Sequence, residues 1–186
     1  MHPTPCRIVL LAVLYALATY AIAGERRWPV LRHYDQAHTT RIALPLGGIG
    51  TGTISLGGRG ELRDWEIVNR PAHGYSPGPG FFAIHIAGRG VQRATRLLQG
   101  PVDPADYEGA FGARPSVLPG LPRFSSCAFD AAYPLGQVTL ADPRLPVSVR
   151  LMAFNPLVPP DAEKSGIPAA VFRYAVKNLS GDPLDV

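Results

Sequence analysis

Apolar and polar positions alternate through much of the chain. Ile42, Leu44 and Leu46 fall on one side of an extended segment, and Pro45 among them suits an edge strand or a bent one. Residues 53–56 read as a strand that follows a run of glycines, and residues 81–86 as a strand bounded by glycines. Residues 137–140 predict a short strand. Val147, Val149, Leu151 and Ala153 alternate with Ser148, Arg150 and Met152, and Phe172, Tyr174 and Val176 with Arg173, Ala175 and Lys177. A period of two with one wet face is the signature of an antiparallel sheet laid on a core. The longest helix candidate is residues 91–98. Residues 100–123, rich in Pro and Gly, predict a long loop. The expected fold class is all-β.

Composition agrees. Glycine and proline contribute 20 residues each to a chain of 186, which breaks up long helices and excludes helical bundles and coiled coils. The length suits one domain with a core. The net charge of +4 is spread out, and its densest group, Arg89, Arg93 and Arg96, has no aromatic residues between. That argues against a nucleic-acid surface, so no nucleic-acid partner is expected.

Residues 1–23 read as a signal peptide. Arg7 is their sole charge, an apolar run begins at Ile8, and Ala21-Ile22-Ala23 supplies small residues for cleavage. An uncleaved anchor is the alternative, but the run from Ile8 to Ala18 is short for a bilayer core of about 30 Å. Export to the periplasm or the cell exterior is expected, with residues 24–186 as the mature domain. Cys127 is then the single remaining cysteine, so a disulfide within the chain and a cysteine-ligated zinc site are both excluded. Beside Phe124 and Phe129, its expected role is packing.

Two segments invite a chemical role. The glycine run includes Gly48, Gly50 and Thr51, but it matches neither a P-loop nor a dinucleotide fingerprint. Bends and close backbone approach are the expected use, with a ligand-facing loop as the alternative. Further on, Asp64 and Glu66 flank Trp65, with Asn69 and Arg70 close behind. Sugar sites combine aromatic platforms with carboxylates and amides. Glycosidases pair carboxyl groups at about 5–5.5 Å or about 6.5–9.5 Å. On a regular strand Asp64 and Glu66 would share a face roughly 6.6 Å apart, a spacing any Asp-x-Glu would satisfy. Surface charge around a core tryptophan is the plainer expectation. His33, His38, His73 and His85 lack metal-ligand spacing, and Gly-x-Ser-x-Gly is absent. No cofactor, metal or catalytic residue is expected.

Several separated motifs then resemble one family. Leu44-Pro45-Leu46-Gly47-Gly48-Ile49-Gly50-Thr51-Gly52 is similar to the opening glycine motif of the N-terminal domain of glycoside hydrolase family 116, which includes bacterial β-glucosidases and non-lysosomal glucosylceramidases. Gly60-Glu61-Leu62-Arg63-Asp64-Trp65-Glu66-Ile67-Val68-Asn69 continues the resemblance, with Val68 where phenylalanine is more usual. Tyr133-Pro134-Leu135-Gly136, Leu145-Pro146-Val147, Ala153-Phe154-Asn155-Pro156-Leu157-Val158-Pro159 and Ser165-Gly166-Ile167-Pro168-Ala169-Ala170-Val171-Phe172 follow in order, the last continuing as Tyr174-Ala175-Val176-Lys177-Asn178. The resemblance implies an antiparallel β-sandwich-like domain that packs against a C-terminal (α/α)6 catalytic domain of a retaining β-glucosidase. The nucleophile and acid/base belong to that second domain, so neither Asp64 nor Glu66 inherits a catalytic role. Gly48, Gly50, Thr51, Asp64, Trp65, Glu66, Asn69 and Arg70 are instead expected to face the domain interface or a ligand. Residues 24–186 are expected to be an incomplete sandwich, inactive alone, whose partners are the missing catalytic domain and, with it, a glycan or glycolipid. A stand-alone carbohydrate-binding module or a non-functional remnant is the alternative.

Overall fold

The computed structural model describes residues 28–68, 70–78, 80–104 and 118–186. The segment expected to be a signal peptide lies outside them. The described residues form strands β1 (Arg32–Tyr34), β2 (Ala43–Leu46), β3 (Gly52–Gly57), β4 (Leu62–Ile67), β5 (Ala83–Gly88), β6 (Val91–Leu97), β7 (Ser126–Ala132), β8 (Leu135–Ala141), β9 (Val147–Phe154), β10 (Val171–Asn178) and β11 (Leu184–Asp185). One helical turn, α1 (Ala162–Ser165), is capped by Asp161, whose carboxylate accepts from the Lys164 amide.

Three antiparallel sheets result. The largest runs β1-β7-β8-β9-β10, and the smaller ones run β2-β3-β4 and β11-β5-β6. Leu44, Leu46 and Leu56 of one small sheet and Ile84 and Ile86 of the other share a single core with the large sheet. The architecture is therefore all-β and sandwich-like, as expected. The core is densest along β8 and β9, where Val138, Leu140, Val147, Val149 and Leu151 are each at most 1% exposed. Burial of each such side chain stabilises the fold by about 1.5–3 kcal/mol.

Several expectations shift. Residues 91–98 are not helical: β6 pairs with β5 in a hairpin, and Gly90 turns the chain at φ +71°. Cross-strand pairing, with Val91 and Thr95 on the strand, outweighs the weak helical pattern. Residues 32–34, where no strand was expected, form β1, which pairs with β7. Met152, expected on the wet face, is buried. Trp28 covers that face farther along β9, where its ring packs edge-on to Phe154 at 6.1 Å.

Candidate functional site

The glycine run forms the β2–β3 turn. A Cβ on Gly48 would sit 2.5 Å from the carbonyl oxygens of both Gly166 and Ile167, so only glycine lets this turn press against the segment after α1. The Ile49 amide donates to the Ser165 carbonyl at 2.9 Å, and the Thr51 amide to the Gly48 carbonyl at 3.1 Å. The Thr51 hydroxyl also donates to the Gly48 carbonyl. These donors are spent within the protein, so the turn is a packed bend and not a phosphate cradle. At its far end Gly52 holds φ +102°, where a Cβ would meet the Glu66 carbonyl oxygen at 2.6 Å and the Val68 nitrogen at 2.7 Å. That approach sets the turn beside the end of β4.

Strand β4 carries the carboxylates, and it is not regular. Thr53 pairs with Glu66 and Ser55 with Arg63, so Ile54 faces both Asp64 and Trp65 across a bulge. Asp64 takes φ +49° there. The two-residue period therefore fails between Asp64 and Glu66, and the shared face expected for a regular strand does not arise. Nor is Asp64 a surface charge around a core tryptophan. Asp64 is buried and Trp65 is half-buried.

Both carboxylates hold one loop. Asp64 Oδ1 accepts from the Gly74 amide at 2.6 Å, and its Oδ2 lies 3.2 Å from Arg63 Nε. Glu66 Oε1 lies 3.1 Å from both the Ala72 amide and His73 Nδ1. The Trp65 amide adds a bond to the Tyr75 carbonyl. Residues 70–77 thereby fold over β4 and enclose a cleft of about 540 Å³ lined by Trp65, Ile67, Val68, Arg70, Pro71, Ala72, Tyr75 and Pro77. The indole Nε1 of Trp65 is shielded from solvent and bonds to nothing. Ile67, Val68 and Tyr75 are exposed.

Of the eight residues singled out from the sequence, Trp65 and Arg70 line this cleft, while Asp64 and Glu66 tie down its loop. Gly48, Gly50 and Thr51 belong to the neighbouring turn. Asn69 lies outside the described residues. Tyr75 and the Pro71–Pro77 rim were not singled out, since their roles depend on how the loop folds back. The cleft can take an apolar or ring-shaped surface against Trp65 and Tyr75. Its two nearest carboxylates are occupied by loop donors.

Several other ionisable groups have structural partners. His33 lies 2.6 Å from Asp130, and His38 lies 2.6 Å from Asp35, whose carboxyl is held low by that hydrogen bond. Among the described residues no group of three His, Cys, Asp or Glu side chains is placed to hold a metal ion. Cys127 is buried, as expected, and burial pushes its thiol upward. No pattern in the sequence points to Asp142, whose buried carboxylate takes a two-pronged bond from Arg144 at 3.0 and 2.9 Å. That bond holds its carboxyl below the usual range.

Residues 43–186 match the family model described as beta-glucosidase 2, glycosyl-hydrolase family 116 N-term. The matched span runs from β2 to β11 and contains the β2–β3 turn, the bulged β4 and the cleft loop. The chain belongs to glycosyl-hydrolase family 116, to which it is matched through the family's N-terminal domain.

Proposed function

We propose that this chain is a non-catalytic supporting domain of an exported β-glucosidase or glucosylceramidase-like hydrolase. In this reading the reaction belongs to a separate (α/α)6 catalytic domain, against which the present domain packs. The observation that carries it is the engagement of Asp64 and Glu66 by the amides of Gly74 and Ala72. A retaining glycosidase needs one carboxyl group free to attack and another free to exchange a proton. Carboxylates bound into a loop are poor candidates for either role. The exposed Ile49, Ile67, Val68 and Ile167 belong to the β2–β3 turn, the end of β4 and the segment after α1, which the contacts of Gly48 and Gly52 bring together. They suit a docking face for the catalytic domain, in whose complex a glycan or glycolipid would be bound.

The purified chain is expected to release no aryl alcohol from an activated aryl β-glucoside above a matched blank. Co-expression with an (α/α)6 domain of this family should yield a complex that Val68→Asp and Ile167→Asp weaken. Turnover by the chain alone that disappears in Asp64→Asn or Glu66→Gln would overturn the reading. Export would be seen as a mature N-terminus at Gly24 by mass spectrometry, and a stable product beginning at Met1 would count against it.

The cleft favours one second reading, a carbohydrate-binding module that stacks a sugar ring on Trp65 and Tyr75. Affinity electrophoresis in β-glucan gels distinguishes it: retardation lost in Trp65→Ala would support the module.

A further inference from the structure

A short motif lies in the turn between β10 and β11. The chain has three asparagines, Asn69, Asn155 and Asn178. Asn69 is followed by Arg70-Pro71 and Asn155 by Pro156-Leu157, whereas Asn178 is followed by Leu179-Ser180. Asn-x-Ser, with x other than proline, is the acceptor sequence for asparagine-linked sugars on secreted chains.

The structure puts this motif where a transferred sugar fits. Asn178 is the last residue of β10, and exposure on its face of the strand rises toward it. Phe172 and Tyr174 are half-buried, Val176 is 40% exposed, and Asn178 itself is exposed. Its Oδ1 accepts from the Ser180 amide at 2.8 Å and from the Ser180 hydroxyl at 2.7 Å, which closes an Asx turn over the motif. The Leu179 amide donates to the Pro146 carbonyl at 2.7 Å and holds the start of the turn to the large sheet. A Cβ on Gly181 would meet nothing within 4 Å among the described residues, so there is open space beside the turn. Asn178 Nδ2 donates to the Asp182 carbonyl at 2.8 Å. A primary amide carries two N–H groups, and attachment of a sugar leaves one. The remaining N–H suffices for the Asp182 bond, and both bonds to Oδ1 are untouched.

We propose that Asn178 is the acceptor of an asparagine-linked glycan. In the transfer, Nδ2 attacks the anomeric carbon of a lipid-linked oligosaccharyl diphosphate. The new N–C bond forms as the C–O bond to the diphosphate breaks. The lipid diphosphate leaves with the electron pair, and Nδ2 gives one proton to a base of the transferase. Nothing is oxidised or reduced. The assignment rests on the export proposed above, since the transferase meets only exported chains. It leaves the proposed docking face free. Ile167 precedes the opposite end of β10, and the chain from Val171 to Asn178 spans about 23 Å.

The test translates the full chain in the presence of secretory microsomes, once with its own leader and once behind a leader already known to be translocated. Protease protection reports translocation separately from modification. The protected chain should carry one glycan, seen as a gain in mass that peptide-N-glycosidase removes while turning the asparagine side chain into a carboxylate. Asn178→Gln, Ser180→Ala and Leu179→Pro should each abolish the gain, and Ser180→Thr should retain it. These readouts do not require the variants to fold. Modification behind the borrowed leader alone would support the acceptor and count against export by residues 1–23. A protected chain without a glycan would overturn the assignment and leave export standing. A glycan that survives Asn178→Gln would overturn it as well.

Discussion

Strands β9 and β10 are neighbours in one sheet and carry the same alternating pattern, yet they live in different surroundings. Val147, Val149 and Leu151 on β9 are sealed, whereas Val176 on β10 is 40% exposed and Phe172 and Tyr174 are only half-buried. The two strands are aligned residue against residue, with Phe172 opposite Ala153 and Tyr174 opposite Leu151. What separates them is the second layer. The small sheets share one core with β8 and β9, while on β10 Phe172 and Tyr174 meet the ring of Phe82, itself 43% exposed. Alternation in a sequence thus tells which face a side chain takes, but not whether anything lies opposite that face.

The sharpest way to break this comparison is to truncate equivalent side chains. Leu151→Ala should cost about 3–5 kcal/mol in a urea melt, and Phe172→Ala about half as much, because water already reaches part of its site. Equal costs would show that β10 is as well covered as β9.

A second test moves to the bulged end of the other small sheet. Gly52→Ala forces a side chain into a left-handed backbone position and against the Glu66 carbonyl. A loss of roughly 2–3 kcal/mol is expected, with an altered near-ultraviolet signal from Trp65. A neutral result would mean that β3 and β4 can separate freely there.

Smaller effects should divide the two carboxylates. Asp64 is buried, so Asp64→Ala should cost about 1–3 kcal/mol and open residues 70–77 to proteolysis. Glu66 is more exposed, and Glu66→Gln should cost about 0.5 kcal/mol. Reversal of that order would show that Glu66 is the main tether.

The smallest effect lies on the alkaline side. Burial pushes the Tyr174 phenol well above its ordinary value of 10.0. The unfolded chain therefore loses this proton first as pH rises. The contribution is complete below about pH 10 and is lost as pH climbs toward the folded value. Tyr174→Phe should flatten this alkaline limb of a stability profile. An unchanged limb would assign it to other groups.

Much of the fold was legible because it rests on local alternation. The strands at Ala43–Leu46, Val147–Phe154 and Val171–Asn178 follow their apolar spacing, and Pro45 lies on an edge strand as its missing amide requires. Less visible was anything set by distant pairing. Strand β1 exists through its partner β7, and residues 91–97 form β6 because β5 lies beside them. At the site, the aromatic and the acids could be named from residue type alone. Their arrangement could not, because the bulge opposite Ile54 cancels the two-residue period on which the spacing argument stood. The loop that encloses the cleft is fixed by side-chain bonds to backbone amides, which leave no pattern in the sequence.

Those bonds have an evolutionary consequence. Asp64 and Glu66 grip the amides of Gly74 and Ala72, groups that every residue except proline carries. Apart from Gly74, whose φ of +74° favours glycine, and His73, whose ring also reaches Glu66, the moorings of the loop are therefore indifferent to which side chains it displays. Positions such as Arg70, Tyr75 and Pro77 can be exchanged while the anchor points stay fixed, so a lineage can refit the rim of the cleft to a new partner without rebuilding the sheets behind it.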